Sequence, residues 1–261
     1  MISFGTRSHN ESHRRQLYRG DSIFYKSEWM ENGEDSLYSP TVFLAEHPPN
    51  CELAPHFHRQ NQFQLFAEGE GFLGQERIGP VTVHYAGACT GYGPILPGDA
   101  WLKYFTIRSV FYAGLTPNTE WREKMVRSPK RHAKAFAGWP WTVEQPTALE
   151  GTQRETVIAA DGGLGAELFR LPPDTVQRLL SIAGSVGQFF FVLAGTALVE
   201  GTTLSLRDSA FLPAPDGEVA VAAGARDAEV IALHMPETAA QYLAYSPCLA
   251  ATEGRQRKTP V

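Results

Sequence analysis

An internal repeat is the feature that most limits how this chain of 261 residues can fold. In both halves a glutamine is followed by six mostly apolar or aromatic residues and then a glycine, at residues 62–69 and again at 188–195. A second pair of segments, LPGDAWLKYFTI at 96–107 and AAGARDAEVIAL at 222–233, is separated by the same 126 residues. Because two blocks share one offset, the sequence predicts two copies of one module.

Each copy is made of short segments typical of β-strands. SPTVFLAEH, NQFQLFA and VTVHYA in the first half, and GQFFFVLAG and AEVIALHMP in the second, are rich in β-branched and aromatic residues and are separated by glycine or proline turns. Many short, evenly spaced strands predict an all-β sandwich or jelly-roll barrel in each half. Helices are predicted only at 118–128, which ends before Pro129, and at 236–245, which has proline in its first turn.

Composition excludes several classes of protein. Hydrophobic residues make up 43% and charged residues 20% of the chain, which is typical of a globular protein. The net charge of −5 gives no sign of a nucleic-acid partner. No apolar run approaches the roughly 18–20 residues that span a membrane, no secretory signal is visible, and the three cysteines lack metal-ligand spacing. We therefore expect a cytoplasmic protein that binds neither nucleic acid nor membrane.

Residues 117–150 combine six Lys or Arg residues with Trp139 and Trp141. A basic run beside tryptophans is one pattern of a nucleic-acid site. Because the whole chain is acidic, we favour a solvated helix whose neighbouring rings pack on a barrel. A structural or partner-binding role for this segment is a weaker alternative.

The segment PHFHRQNQFQLFAEGEG, residues 55–71, contains the most specific chemical pattern. On a strand His56 and His58 share a face, because alternate side chains point to opposite sides. Two imidazoles placed in this way can bind one divalent metal ion. Gln62 begins the next predicted strand and could add its side-chain oxygen. The alternative is a metal-free pocket in which the histidines hydrogen-bond a ligand.

This pattern resembles the first motif of the cupin superfamily, a His-x-His pair followed by a Glu and, after six more residues, a Gly. Here it comprises His56, His58, Gln62 and Gly69, with Gln in place of the usual Glu. The resemblance implies two tandem jelly-roll barrels, a bicupin, with one divalent metal ion (Fe, Ni, Mn or Zn) held by His56, His58 and Gln62 in the first barrel. It also implies a small-molecule substrate or ligand and a possible homodimer formed through edge strands.

The second motif of the family departs from its usual pattern in this sequence. The family places a further His ligand there, yet GPVTVHYAGACTGYGPI, residues 79–95, has Gly91 and Tyr92 at the expected place. His84 lies seven or eight residues earlier, and Tyr92 and Cys89 are the other candidate donors. A neutral Gln also binds a divalent ion less strongly than a carboxylate does.

The second module lacks the histidine pair. The 126-residue offset puts Ile182 and Gly184 at the His-x-His positions, so that only Gln188 is kept. His234, near the end of the last predicted strand, has no partner in the sequence. The second barrel is therefore predicted to be a degenerate, structural copy.

These observations predict an order of five segments along the chain. Residues 1–39 form an N-terminal arm and edge strands, 40–116 the first barrel, 117–150 a linker with a short helix, 151–236 the second barrel, and 237–261 a C-terminal helix and tail.

Two functions are consistent with this organisation. The first is a metal-dependent enzyme acting on a small oxygenated molecule, an isomerase, cyclase, lyase or dioxygenase, in which Tyr92 or His84 moves a proton. Gln64 and Phe66 share the face of Gln62 and are predicted to contact the substrate. The second is a non-catalytic bicupin that binds or senses a metabolite.

Overall fold

A computed structural model describes residues 2–19, 22–31, 40–110, 116–117, 131–136, 149–214 and 217–238. The predicted helix at 118–128, the Trp139 and Trp141 pair and most of the predicted C-terminal helix and tail lie outside these ranges. No helix within them is long and apolar enough to cross a lipid bilayer.

The described ranges contain one short helix, α1 (Arg7–Ser12), and strands that occupy most of the remaining residues. The strands up to the middle of the chain are β1 (Ser3–Gly5), β2 (Arg14–Arg19), β3 (Ser22–Glu31), β4 (Thr41–His47), β5 (His56–Phe57), β6 (Gln62–Glu68), β7 (Gly71–Leu73), β8 (Glu76–Ile78), β9 (Thr82–Ala86), β10 (Ile95–Pro97), β11 (Leu102–Arg108), β12 (Thr116–Pro117) and β13 (His132–Phe136). Those that follow are β14 (Gln153–Asp161), β15 (Leu164–Leu171), β16 (Val176–Leu180), β17 (Ser185–Ala194), β18 (Ala197–Val199), β19 (Thr202–Leu204), β20 (Ser209–Pro213), β21 (Glu218–Ala223) and β22 (Ala228–Pro236).

The strands form two barrels in which every described pairing is antiparallel. In the first barrel a seven-stranded sheet, ordered β13-β9-β6-β11-β4-β3-β2, packs on the three-stranded sheet β10-β7-β8, and β5 pairs with β12. In the second barrel the sheet β1-β20-β17-β22-β15-β14 packs on the sheet β16-β21-β18-β19. The prediction of an all-β chain with two tandem jelly-roll barrels is confirmed.

The sequence repeat is also a structural repeat. Gly69 and Gly195 both have positive φ angles, 79° and 71°. A Cβ atom on either would lie 2.1 Å from a backbone carbonyl oxygen, that of Trp101 in the first barrel and that of Asp227 in the second. Only glycine fits such a conformation and approach, so each copy keeps glycine at this turn.

The large sheets of the two barrels pack face to face. On β6 the residues Phe63 and Leu65 point toward the second barrel, and on β17 the residues Phe189 and Phe191 point toward the first, so that they meet in one buried cluster. The intervening residues of these strands face the barrel interiors. Burial on both sides explains why β17 contains the nearly continuous apolar run that follows Gln188.

The N-terminal segment contacts both barrels. β1 pairs with β20 of the second barrel, whereas β2 pairs with β3 at the edge of the first. The helix α1 between them, which the sequence did not predict, begins after Thr6, whose hydroxyl accepts a hydrogen bond from the backbone N–H of His9 at 3.3 Å.

The prediction of a helix beginning at residue 236 is wrong at its start. Pro236 is the last residue of β22 and lies opposite Ser185. A proline is tolerated at the end of a strand because no further ladder hydrogen bond from its nitrogen is needed there. The remainder of that predicted helix, from residue 239, lies outside the described residues.

The packing between the barrels predicts a large effect of Phe191→Ala. The ring of Phe191 lies 5.1 Å from the ring of Phe105 in the first barrel, measured between centroids. Removing it should lower the free energy of unfolding, measured by urea denaturation, by about 3–5 kcal/mol. Leu180→Ala, on an exposed position of β16, is the control and should cost less than about 1 kcal/mol. Equal losses in the two variants would contradict a stabilising interface.

Candidate functional site

Three of the predicted site residues meet at the hydroxyl of Tyr92, inside the first barrel. The hydroxyl lies 2.9 Å from Nε2 of His56 and 2.5 Å from Nε2 of Gln62. The backbones of His56 and Tyr92 are joined by two reciprocal N–H to carbonyl hydrogen bonds of 3.0 Å, and Gln62 is the first residue of β6. All three side chains are buried.

Arg108, the last residue of β11, contacts this cluster on the side of Gln62 that faces away from Tyr92. Its guanidinium donates to Oε1 of Gln62 from two nitrogens, at 2.9 and 3.2 Å, and donates to Nδ1 of His58 at 3.2 Å. The residue is only 2% exposed. Arg108 was not among the site residues predicted from the sequence, although the alternation along β11 places it on the inner face with Leu102 and Tyr104.

The partners of each group fix the direction of the hydrogen bonds. A carbonyl oxygen only accepts, so Nδ1 of His56 donates to the carbonyl of Ala54 at 2.8 Å. Nε2 of His56 therefore accepts the proton of the Tyr92 hydroxyl, whose oxygen in turn accepts from the Gln62 amide. The result is a continuous chain of hydrogen bonds that runs from Arg108 through Gln62 and Tyr92 to His56.

Arg108 also determines the tautomer of His58. A guanidinium can only donate, so Nδ1 of His58 must be the acceptor in their 3.2 Å contact. The neutral ring then carries its proton on Nε2. The two imidazoles of the predicted metal pair, whose centroids are 5.2 Å apart, are thus in opposite tautomers.

Burial keeps Tyr92 in its protonated form. Desolvation raises the pKa of the phenol well above its usual value, although the positive charge of Arg108 and the hydrogen bond from Gln62 act in the opposite direction. Tyr92 is therefore a hydroxyl donor to His56 at neutral pH.

A second cluster of hydrogen bonds lies beside the first and contains His84, Gln64 and His132. Nδ1 of His84 lies 2.7 Å from Oε1 of Gln64 and Nε2 lies 2.7 Å from Nε2 of His132. Burial, followed by the charges of His132 and Lys134, lowers the pKa of His84 well below its usual value, and burial also lowers the pKa of His132. Neutral His84 therefore donates to Gln64 and accepts from His132.

This second cluster connects the interior to the surface. The ring of His84 lies 4.9 Å from that of Tyr92, and His132 is exposed on β13. The other predicted substrate contact, Phe66, packs on Tyr104 in the apolar cluster to which the Tyr92 ring also belongs. His132 could not be found from the sequence, because its place depends on the pairing of β13 with β9.

Comparison with solved structures identifies the fold. The pirin YhhW of Escherichia coli, in complex with nickel(II), is 15% identical, with a TM-score of 0.53 over 91% of this chain and 100% of that one. The oxalate decarboxylase of Lactobacillus farciminis, in its formate complex, is 11% identical with a TM-score of 0.59 over 94% and 92%. A deletion mutant of the Bacillus subtilis oxalate decarboxylase OxdC is 11% identical with a TM-score of 0.57 over 91% and 78%.

This chain has the bicupin fold. At sequence identities this low, the likeness to these structures shows the fold alone. Neither a protein-family model nor a curated protein matches the sequence. Among the residues that the structure describes, no group of three or more His, Cys, Asp or Glu side chains is placed to hold a metal ion.

The second barrel keeps a reduced version of the site. Gln188 and His234, which are offset by 126 residues from Gln62 and Arg108, lie opposite each other on β17 and β22. Both are buried, and burial lowers the pKa of His234 despite Glu167, whose carboxylate lies 3.8 Å from Nε2. A neutral ring thus stands where the first barrel has a permanent cation.

The lowered pKa of His84 predicts a loss of stability in acid. Because the unfolded chain takes up a proton at His84 near pH 6.5 and the folded chain does so only at lower pH, the free energy of unfolding should fall as the pH drops from about 7 to 5. In His84→Gln, whose amide can still donate to Gln64 but cannot titrate, this fall should be smaller. Urea denaturation across this pH range measures both, and identical pH profiles would contradict the assignment.

Proposed function

We propose that the first barrel is the functional barrel of this bicupin and that it takes a small organic acid whose carboxylate is bound by Arg108. The observation that carries the proposal is the buried guanidinium of Arg108 beside the Tyr92 hydroxyl and two imidazoles. A planar guanidinium matches the geometry of a carboxylate and presents several donors to it.

The solved structures of similar fold support this class of ligand. Oxalate and formate, named for the decarboxylase of L. farciminis, are both small carboxylates. The likeness is one of fold, so it supports the size and type of ligand for the first barrel and leaves the individual acid open.

The orientation of Tyr92 and His56 suits the removal of a proton from the bound acid. As the Tyr92 oxygen accepts a proton from the substrate, the hydroxyl passes its own proton to Nε2 of His56. The resulting imidazolium keeps its Nδ1–H bond to the carbonyl of Ala54. Arg108 stabilises the negative charge that develops on the substrate. Proton transfer of this kind underlies isomerase and lyase reactions.

The divalent metal ion expected from the cupin resemblance does not fit these side chains as they are arranged. A metal-bound histidine donates its other ring N–H to an acceptor, yet Nδ1 of His58 faces the donor Arg108 and its Nε2 carries the proton. Oε1 of Gln62 is already bonded to Arg108, whose positive charge opposes a second cation. The nickel(II) of the E. coli pirin belongs to that protein, and the proton transfer proposed above uses protein side chains alone.

Binding of small acids tests the role of Arg108. In chelator-treated protein at constant ionic strength, at least one acid of a panel containing oxalate, formate, pyruvate, malonate and lactate should raise the melting temperature saturably. Formamide, the neutral counterpart of formate, should not. Arg108→Gln should abolish the shift, because it removes the charge that holds the carboxylate.

Arg77→Gln is the matched control, since Arg77 is exposed on β8 of the same barrel and forms an ion pair with Glu70. It should retain the shift. Failure of every acid in the panel, or an equal loss in the two variants, would contradict the proposed site.

Hydrogen exchange separates catalysis from binding alone. When an acid identified in this way that carries a C–H next to its carboxylate, such as malonate or lactate, is incubated with the protein in D₂O, that C–H should exchange, and NMR measures the rate. Tyr92→Phe should reduce the rate by about a hundredfold or more while the acid still raises the melting temperature. Binding without exchange in the unsubstituted protein would favour a carrier or sensor over an enzyme.

A further inference from the structure

A second polar pocket lies outside the Arg108 cluster, where the N-terminal segment meets both barrels. It has a volume of about 190 Å³ and is lined by α1, by β2, β3, β4 and β11 of the first barrel, and by the turn between β19 and β20 of the second. We call it the inter-barrel pocket. Its lining residues are all different from those of the candidate site in the first barrel.

Two buried donors in the walls of the inter-barrel pocket lack partners among the described residues. Asn10 is 8% exposed and Trp29 is 2% exposed, and both line the pocket. Within the part of the chain that the structure describes, neither Nδ2 of Asn10 nor Nε1 of Trp29 has a hydrogen-bond partner. Both atoms can only donate, and buried donors are normally paired with an acceptor. We therefore expect a ligand of this pocket to accept hydrogen bonds.

The charged side chains around the pocket are predominantly positive. Among the described residues, four cations line it, against two carboxylates, Glu11 and Glu46. The cationic residues are Arg7, Arg14, Lys103 and Arg207.

The local ion pairs leave part of this positive charge uncompensated. Glu11 and Glu46 are paired with Arg7 and Arg14 respectively. Lys103 and Arg207 instead share a single carboxylate, that of Glu68, at 2.9 Å each. One carboxylate shared by two cations leaves one of them without an ion-pair partner of its own, because the nearby carboxylate of Asp208 instead accepts hydrogen bonds from the backbone N–H groups of Arg7 and Ser205.

We propose that the inter-barrel pocket binds a compact oxyanion of the phosphate type. Its oxygens accept hydrogen bonds from the Asn10 amide and the Trp29 indole, and its charge is balanced by the excess of cations. Because Asn10 belongs to the N-terminal segment, Trp29 to the first barrel and Arg207 to the second, the anion links three parts of the fold. Its binding should therefore stabilise the folded chain.

Titration with phosphate tests this proposal. At constant ionic strength set by chloride, inorganic phosphate should bind with saturation and one equivalent per chain in isothermal titration calorimetry. Glycerol 3-phosphate, which carries the same group on a metabolite, is titrated in parallel to distinguish the free ion from an attached phosphate. Asn10→Asp, which replaces the donor amide by a carboxylate of the same shape, should weaken binding by about tenfold or more.

Arg207→Gln should weaken binding similarly, whereas Arg178→Gln should not. Arg178 is an exposed arginine of the second barrel that is paired with Glu218, so its loss changes the net charge equally without touching the pocket. No saturation by either phosphate compound up to about 10 mM, or an equal effect of the two arginine variants, would overturn the proposal.

The indole N–H of Trp29 provides a local readout. Among the indole signals of the five tryptophans in a ¹⁵N–¹H spectrum, the one that Trp29→Phe removes should shift as phosphate is added. A shift confined to the other indoles, or none at all, would place any bound anion elsewhere.

Discussion

The site in the first barrel depends on how one buried charge is accommodated. Arg108 remains protonated at any physiological pH, and a guanidinium removed from water needs acceptors around it. The fold supplies Oε1 of Gln62 and Nδ1 of His58. Because Gln62 turns its oxygen toward Arg108, its amide nitrogen faces Tyr92, and the Tyr92 proton is directed at His56. Arg108 thereby orients the Gln62 amide and the His58 imidazole, and the carbonyl of Ala54 fixes the tautomer of His56 that accepts the Tyr92 proton.

The contact between the two barrels explains how two copies of one module can differ. Both large sheets give their outer faces to the contact between the barrels, which leaves the inner faces free to diverge. The inner face of the second barrel is filled mainly by apolar side chains. Its Gln188 and His234 occupy the places of Gln62 and Arg108 but carry no permanent charge. The buried network of hydrogen bonds around a permanent charge is therefore found in the first barrel, and the second barrel stabilises the first by packing against it.

Much of the fold could be predicted from local sequence patterns. Gly69 and Gly195 mark equivalent turns, and the alternation on β6 gives the inner face of Gln62, Gln64 and Phe66. These features are visible in a sequence because they depend on neighbours along the chain. The nearness of His56 to His58 follows from the same two-residue period.

The features that sequence analysis missed depend on contacts between distant segments. Arg108 acquires its role only when β11 lies beside β6, and His132 only when β13 pairs with β9. The pairing of β1 with β20 joins residues about 200 positions apart, and no local pattern indicates it. The prediction that His56, His58 and Gln62 bind a metal ion took no account of Arg108, which contacts His58 and Gln62 in the structure. The homodimer and the cytoplasmic location stay predictions.

Elemental analysis of the protein, purified without a histidine-rich tag, tests the central claim that Arg108 rather than a metal ion organises the first barrel. The account predicts no stoichiometric transition metal and no saturable uptake when Fe, Ni, Mn or Zn is added. One equivalent of any of these per chain, lost when His56 and His58 are replaced by alanine, would contradict it and would favour a metal-dependent enzyme instead.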